Sequence, residues 1–557
     1  MLLSGADILV KTLIEQGCDT VFGYPGGQIL NVYDSLYKYR NEINHVLTAH
    51  EQGAAHAADG YARTTGKVGV VISTSGPGAT NLVTGIATAY LDSIPMVAIC
   101  GNVPTTQIGT DSFQEVDITG ITLPITKHNY FVNSVEDLAD TIREAFRLAK
   151  SGRPGPVLID VPKDVQIAEC GYEKQAPVEK EKPFAAKDTR IEEAAEIINS
   201  AKKPFIYFGG GVIASDAQAE VLKLAEKLDA PMGCSLMGLS AIPTDHPRFF
   251  GMQGMHGHYA SSMSMHNADV IISLGVRFND RVTGNREKFA TGAKIVHIDT
   301  DGSELNKTVN SVCGLRGDIK LTLQKLLPLL NEGKKAEWMA RVDAFRKEEE
   351  KYLDNREGLT PRRAILTLNK HLGKNTAVCT DVGQHQMWAA QSLDFKTSRR
   401  FASSGGLGTM GYGLGAAIGA AYGTGERSVL ITGDGSFGMN LNEMATAVRY
   451  NIPVVVIVMN NGVLGMVRQW QTLFYDKHYS NSVLERKTDF PALARAFGAN
   501  GEAVTTPEEL DESLSRAFKT EGPYIIDCKI DKDEFVLPML PPGGSMDDII
   551  TKIEVEL

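Results

Sequence analysis

Two apolar runs in the last third of the chain constrain its fold more than any other feature. Ser428-Val-Leu-Ile-Thr runs into Gly433-Asp434-Gly435, and Val454-Val-Val-Ile-Val-Met runs into Asn460-Asn461. Each is strand-sized and ends in turn-forming residues. Asn461 follows Asp434 by 27 positions (461 − 434), the length of one strand–helix–strand unit with parallel strands. Such a unit delivers one carboxylate and one carboxamide oxygen to the same end of adjacent strands. Hard oxygen donors beside a glycine turn suit Mg²⁺, which takes few protein ligands and completes its shell with phosphate oxygens. Gly-Asp-Gly also occurs as a plain turn, so the remainder of the chain has to decide between the two.

The same alternation recurs along all 557 residues, too many for a single core. The spacing predicts three doubly wound parallel-sheet α/β domains. The first spans residues 1–165, opening with a helix capped by Ser4 and stopped at Gly17, followed by strands at 68–73, 95–99 and 156–161. Residues 166–188, rich in Glu, Lys and Pro, read as a linker. The second domain spans 189–335, with strands at 204–208, 269–274 and 294–299. A charged connector covers 336–360, the third domain 361–530, and a tail containing Pro541-Pro-Gly-Gly, expected to be a cap or a lid, covers 531–557.

Composition excludes several classes of protein. A net charge of −11 with no basic block argues against nucleic acid as a main partner. The apolar runs are far shorter than a membrane span. Seven scattered cysteines without a Cys-x-x-Cys pair form neither a disulfide framework nor a zinc site, and a reducing cytoplasm fits them.

In the first domain, His50-Glu51-Gln52-Gly53-Ala54-Ala55 opens a helix of small residues that admits a second surface at close range. A glutamate in a first helical turn is electrostatically ordinary. Held against the N1′ nitrogen of an aminopyrimidine, however, it shares a proton with that ring. Two glycine loops accompany it, Gly23-Tyr24-Pro25-Gly26-Gly27 and Ser75-Gly-Pro-Gly78 leading to Asn81. Either is compatible with a simple turn.

Glu51, the Gly-Asp-Gly and Asn-Asn pair, and three α/β domains together resemble the thiamine-diphosphate enzymes. Finer motifs are similar to the acetohydroxyacid synthase catalytic subunits over nearly the whole chain. They are Gly109-Thr-Asp-Ser-Phe-Gln, Gly254-Met-His-Gly, Arg277-Phe-Asn-Asp-Arg281, Gly383-Gln-His-Gln-Met-Trp and Gly465-Met-Val-Arg-Gln-Trp470.

The resemblance implies thiamine diphosphate held between the first domain of one subunit and the third domain of another, in a homodimer or homotetramer. Asp434, Asn461 and the Val463 carbonyl would bind Mg²⁺. Pro25, Gly26, Asn81, Gln384, His385, Gly408, Gly433, Gly435, Ser436, Leu464 and Gly465 would surround the cofactor, with Met410 propping its bent form. Met410 also reads as an ordinary core methionine. Glu51, Gly27, Gln114, Lys163 and Arg281 would serve catalysis, Arg281 by binding a substrate carboxylate. Phe113, Met466 and Trp470 would line the substrate pocket. A bulky ring at Trp470 rewards an acceptor with one more methylene by about 1–3 kcal/mol, which implies a preference for 2-oxobutyrate over pyruvate as second substrate.

FAD is implied for the central domain, although Gly209-Gly-Gly211 and Asp299 make no dinucleotide fingerprint on their own. Its expected lining is Arg153, Gly210, Ser235, Leu236, Met237 and Gly238, then Met255, His256, Gly275, Arg277, Asn279, Asp299 and Asp318. His256 equally suits a packing role. In the family this flavin is mainly structural. Asn279 stands where Asp is frequent, Gln28 where Ala is usual, and Gly462-Val463-Leu464 replaces a more polar stretch. The expected activity is condensation of pyruvate with a second 2-oxo acid for branched-chain amino acid synthesis, in some members alongside a small regulatory subunit. A catabolic acetolactate synthase and a pyruvate-oxidase-type flavoenzyme are the alternatives.

Overall fold

A computed structural model describes residues 1–553. It contains three six-stranded sheets, every strand pair of which is parallel. The first orders its strands Asn44–Leu47, Thr20–Gly23, Gly69–Ser73, Met96–Asn102, Pro156–Pro162, His128–Phe131. The second runs Phe249–Met252, Met232–Cys234, Pro204–Phe208, Val270–Leu274, Lys294–Asp299, Cys313–Arg316. The third runs Phe401–Ala402, Ala377–Thr380, Ser428–Gly433, Val454–Asn460, Tyr524–Lys529, Asn500–Val504. Their inner strands are buried along their length, which is why they read as unbroken apolar runs rather than as an alternation. The Leu2–Ser4 strand pairs antiparallel with Glu169–Gly171 and ties the start of the chain to the end of its first domain.

The Gly5–Glu15 helix is capped by Ser4, whose side chain accepts from the Asp7 amide. It ends at Glu15, with Gln16 as its cap and Gly17 next at φ +77°. The connector contains the helix Ala336–Glu349. Trp338 donates its indole N–H to the Pro204 carbonyl at 3.0 Å, and the Glu349 carboxylate receives the amides of Tyr259 and Ala260. The connector is thereby fastened to the central domain.

The first and third domains meet through two helices of small residues, Glu51–Thr65 and Gly413–Thr424. A Cβ on Gly419 would sit 1.8 Å from the Ala57 carbonyl oxygen, and one on Gly60 would sit 2.1 Å from that of Ala416. Backbone-to-backbone approach of this kind needs glycine at those two positions. Across the same interface lies a buried polar network. Arg63 pairs with Asp59 and Asp92, and the Tyr412 hydroxyl donates to Asp59 at 2.6 Å. Ions this deep persist only when fully paired.

The tail is a strap. The Val536 amide donates to the Gln469 side-chain carbonyl at 2.9 Å, the Gln469 amide group returns a bond to the Val536 carbonyl at 3.1 Å, and the Leu540 amide donates to the Met255 carbonyl at 2.7 Å. It joins the central and third domains beside the site described next.

Candidate active site

A cleft of about 1270 Å³ opens where the three domains converge, larger than the ~300–1,000 Å³ of an ordinary small-molecule site. Strand ends build its walls. Gly209-Gly-Gly211 follows the Pro204–Phe208 strand, and residues 235–238 follow Met232–Cys234. Gly275 follows Val270–Leu274, and Asp299 ends Lys294–Asp299. Glycine is needed at 211 because a Cβ there would lie 2.6 Å from the Gly275 Cα. Gly210, Ser235, Leu236 and Met237 line the cleft, as do Met255, His256, Gly275 and Arg277, and Arg153, Asn279 and Asp299. Burial pushes Asp299 up to about 6 and His256 down to about 4, and His256 Nδ1 is buried without a hydrogen-bond partner among the described residues.

Two residues expected beside a flavin stand apart from the cleft lining. Asp318 caps the Ile319–Leu326 helix by accepting from the Leu321 amide at 3.0 Å. Gly238 is packed under the Pro204–Phe208 strand, where a Cβ would meet the Phe208 carbonyl oxygen at 2.7 Å.

Arg281, Met466 and Trp470 line the same cleft. Arg281 comes from the central domain and Trp470 from the helix Gly465–Phe474 of the third. The guanidinium lies 6.0 Å from the indole ring centre and makes a cation–π contact. Arg281 also approaches the Met255 sulfur at 3.7 Å. A cation on the face of a flat apolar ring offers a 2-oxo acid one site for its carboxylate and another for its alkyl group.

The Gly-Asp-Gly corner adjoins this cleft through Val382 and Gly383. Gly433 pairs in register with Met459, so Asp434 and Asn461 leave adjacent strands at the same end. Asp434 starts the Asp434–Asn440 helix, and burial raises its carboxyl to about 6. A carboxylate starved of solvent favours a cation. Among the described residues no cluster of three or more His, Cys, Asp or Glu is placed to hold a metal. A cation here would rely on Asp434, Asn461, a backbone carbonyl and ligand oxygens, which is the donor set Mg²⁺ accepts. Asn461 bonds the Gln384 amide oxygen at 3.4 Å and receives the Val463 amide at 3.2 Å.

Around that corner, Gly433 and Gly383 leave room for the His385 ring. A Cβ on either would approach the ring to 2.9 Å. Burial drives His385 down to about 3, and its Nε2 has no hydrogen-bond partner among the described residues. The Ser436 hydroxyl donates to the Val382 carbonyl. Leu464 and Met410 flank Gly435, and Gly465 is required by the Gln384 side chain, whose oxygen would lie 1.9 Å from a Cβ. Gly408 has φ +72°, and a Cβ there would make only ordinary contact with the Val382 side chain at 3.9 Å.

The remaining expected residues form a second group on the first domain, outside the cleft lining. Glu51 is buried at the start of its helix and accepts from the Asn81 amide at 2.9 Å. Gly78 sits 3.3 Å from Glu51 by its notional Cβ, and Gly26 would collide with Thr74 if it carried one. Lys163 donates to the Gly27 carbonyl at 3.3 Å, beside Pro25. Gln114 holds φ +62° next to Gly76, and Phe113 is 83% exposed. Sequence reasoning missed several cleft residues, chiefly Arg63, Asp92, Glu304 and Gln386. Gln386 sits within Gly383-Gln-His-Gln-Met-Trp without a spacing of its own to single it out, and for the other three only the charge pair Asp59-x-x-x-Arg63 at helical spacing offered a signal.

Family models for the thiamine pyrophosphate enzymes match the chain in three segments. They are the N-terminal TPP binding domain over residues 3–121, the central domain over 191–326 and the C-terminal TPP binding domain over 381–528. The chain belongs to the thiamine pyrophosphate enzymes, and its three sheets are their three domains. Over 571 residues it is 45% identical to the probable acetolactate synthase large subunit of Methanocaldococcus jannaschii, covering 100% of this chain and 96% of that protein. It is 43% identical over 565 residues to the Escherichia coli acetolactate synthase isozyme 3 large subunit, covering 98% of each. To the isozyme 2 large subunit of that organism it is 43% identical over 554 residues, covering 99% and 100%. Within its class the chain is a member of the acetolactate synthase large-subunit family, with the catalytic role that membership carries.

Proposed function

We propose that the catalytic site is completed by two copies of this chain, the Glu51 group of one facing the Asp434 corner and cleft of the other. The observation that carries this is the division of the site. Both halves are formed, yet the Glu51 group stands outside the cleft that holds Arg281 and Trp470. Thiamine diphosphate, when bound, supplies the carbon nucleophile that takes the two-carbon unit from pyruvate and releases CO₂.

The residues divide the remaining work. Glu51, held by Asn81, moves a proton at N1′ of the aminopyrimidine. Asp434, Asn461 and the Val463 carbonyl hold Mg²⁺ against the diphosphate, with Ser436, Gly435, Gln384 and His385 around it. Arg281 binds the carboxylate of the second 2-oxo acid, and Trp470 with Met466 forms the apolar wall that favours 2-oxobutyrate over pyruvate. Gln114, Lys163, Gly27 and Phe113 close the site from the partner's side. The glycine-walled part of the cleft fits FAD in a structural role. Large-subunit relatives support a smaller companion chain, and seven free cysteines fit a reducing cytoplasm. No helix of the described residues is long and apolar enough to cross a membrane.

Mixing a Glu51→Gln chain with an Asp434→Asn chain tests the two-chain site. Each variant alone is inactive. In mixed dimers one of the two sites has both wild-type groups, so about a quarter of wild-type acetolactate formation returns on random pairing in a two-fold dimer. A site complete within one chain gives no recovery.

A further inference from the structure

The cleft is held open by a short stretch that belongs to no sequence motif, residues 91–93 at the C-terminal end of the helix Val83–Asp92. Three domains converge on three consecutive residues. The Leu91 carbonyl accepts from the Arg277 guanidinium of the central domain. The Asp92 carboxylate accepts the amide of Gly405 at 3.0 Å and that of Gly406 at 2.7 Å, both from the third domain. Ser93, at φ +60°, accepts from Arg153 Nε at 2.8 Å, and Arg153 also pairs with Glu304 of the central domain at 3.2 Å. Asp92 is buried, and its charge is balanced by Arg63 at 2.8 Å.

One helical turn earlier the same helix takes a second grip on the same loop. The Thr88 hydroxyl bonds the Thr409 hydroxyl at 2.8 Å, and Thr409 is linked to Ser404 through its amide at 3.0 Å. Positions 88 and 92 share a helix face, so one face clamps both ends of the segment 405–409. The fit leaves no slack. A Cβ on Gly406 would lie 2.8 Å from that of Leu91, and one on Gly405 would lie 2.4 Å from the Met237 sulfur. Gly405, Gly406 and Gly408 all line the cleft, and Met410 follows beside Gly435.

We infer that Asp92, assisted by Thr88, is a positioning residue that sets the glycine loop 405–410 for both cofactors at once. A charged acceptor for two successive amides fixes the peptide planes of a loop that otherwise has the freedom of three glycines. By the cofactor assignment above, Gly405, beside Met237, and Gly406 belong to the flavin part of the cleft, and Gly408 with Met410, which packs beside Gly435, belongs to the thiamine side. The inference rests on the cofactor assignment made above.

The test uses the full-length protein with Mg²⁺, titrated separately with FAD, read by flavin fluorescence, and with thiamine diphosphate, read by intrinsic fluorescence. Asp92→Asn keeps one acceptor but turns an N–H₂ toward the second amide, and should weaken both cofactors at least tenfold. Thr88→Val should weaken both by a smaller factor in the same ratio. Arg63 keeps its buried pair with Asp59 in Asp92→Asn, and Thr88→Val leaves every buried charge in place, so the two variants together separate folding from positioning. Measured well below each variant's melting temperature, both affinities should stay low. Wild-type affinities in Asp92→Asn would overturn the inference, as would an affinity loss confined to the temperatures at which the variant unfolds. A wild-type protein that binds no FAD removes the flavin assignment instead, and the thiamine diphosphate titration still decides the role of Asp92.

Discussion

The two halves of the proposed site are built in opposite ways. The cleft of the central and third domains is enclosed within one chain. Its walls are crossed by the Asp92 clamp, the 536–540 strap and the Arg281–Trp470 contact. The Glu51 group is a face. Its glutamate is buried and held by Asn81, but its neighbours Phe113, Gln114 and Lys163 are outside the cleft lining. Phe113, 83% exposed, lies on the face that the proposed pairing would cover with a second copy. In the proposed pairing, the Glu51 face of each copy closes the cleft of the other.

Removing the reactive group of the face should have the largest effect. Glu51→Gln is expected to lower turnover by about 10²–10⁴-fold, the range of a lost general acid–base group. Thermal unfolding should stay near that of the wild type, because glutamine still accepts from Asn81. Turnover within a few-fold of wild type would remove Glu51 from the proton transfer and with it the reason for joining the two halves.

Metal removal probes the cleft side and has a definite dependence on pH. Burial raises Asp434 to about 6 from an ordinary 3.8, so between those values the folded protein holds a proton that the unfolded chain releases. Its contribution to stability therefore falls as pH rises through about 6, where the buried charge is left without a cation. Chelating Mg²⁺ from the holoenzyme should lower the melting temperature more at pH 8 than at pH 5. Equal shifts at both values would place the cation elsewhere.

A smaller effect sharpens the comparison inside the cleft. Trp470→Leu removes the ring beneath Arg281. With pyruvate and 2-oxobutyrate supplied equally, the ratio of 2-aceto-2-hydroxybutyrate to acetolactate should fall by about tenfold, consistent with the ~1–3 kcal/mol of one methylene contact. Total turnover should change less than the ratio. An unchanged ratio would assign acceptor choice to other residues.

Much of the fold was legible because both faces of each inner strand are buried, which writes a parallel strand as an apolar run that needs no partner to recognise. Val454–Asn460 and Ser428–Gly433 were readable in this way, as was the Ser4 cap, a contact that spans only three residues. The edge strands His128–Phe131 and Asn500–Val504 were not, since they are partly exposed and polar. Of the residues proposed for the site, Asp434, Asn461 and Glu51 were singled out by glycine turns and small-residue runs. Asp92 and Gln469 were not, since what each one holds is a backbone amide or carbonyl far along the chain. No local pattern encodes such a partner.

The amino-acid sequence by itself determined the elements, the three-domain order and the chemical identity of the groups at the strand ends, because those depend on periodicity and turn chemistry over a few residues. Only the tertiary structure decided that small-residue helices of the first and third domains lock together and that Arg281 lies over Trp470. It also placed the residues proposed for catalysis in two groups, one lining the cleft and one on the first domain outside that lining. Those are contacts between segments far apart in the chain, settled by how whole domains pack and by which buried charges find a partner.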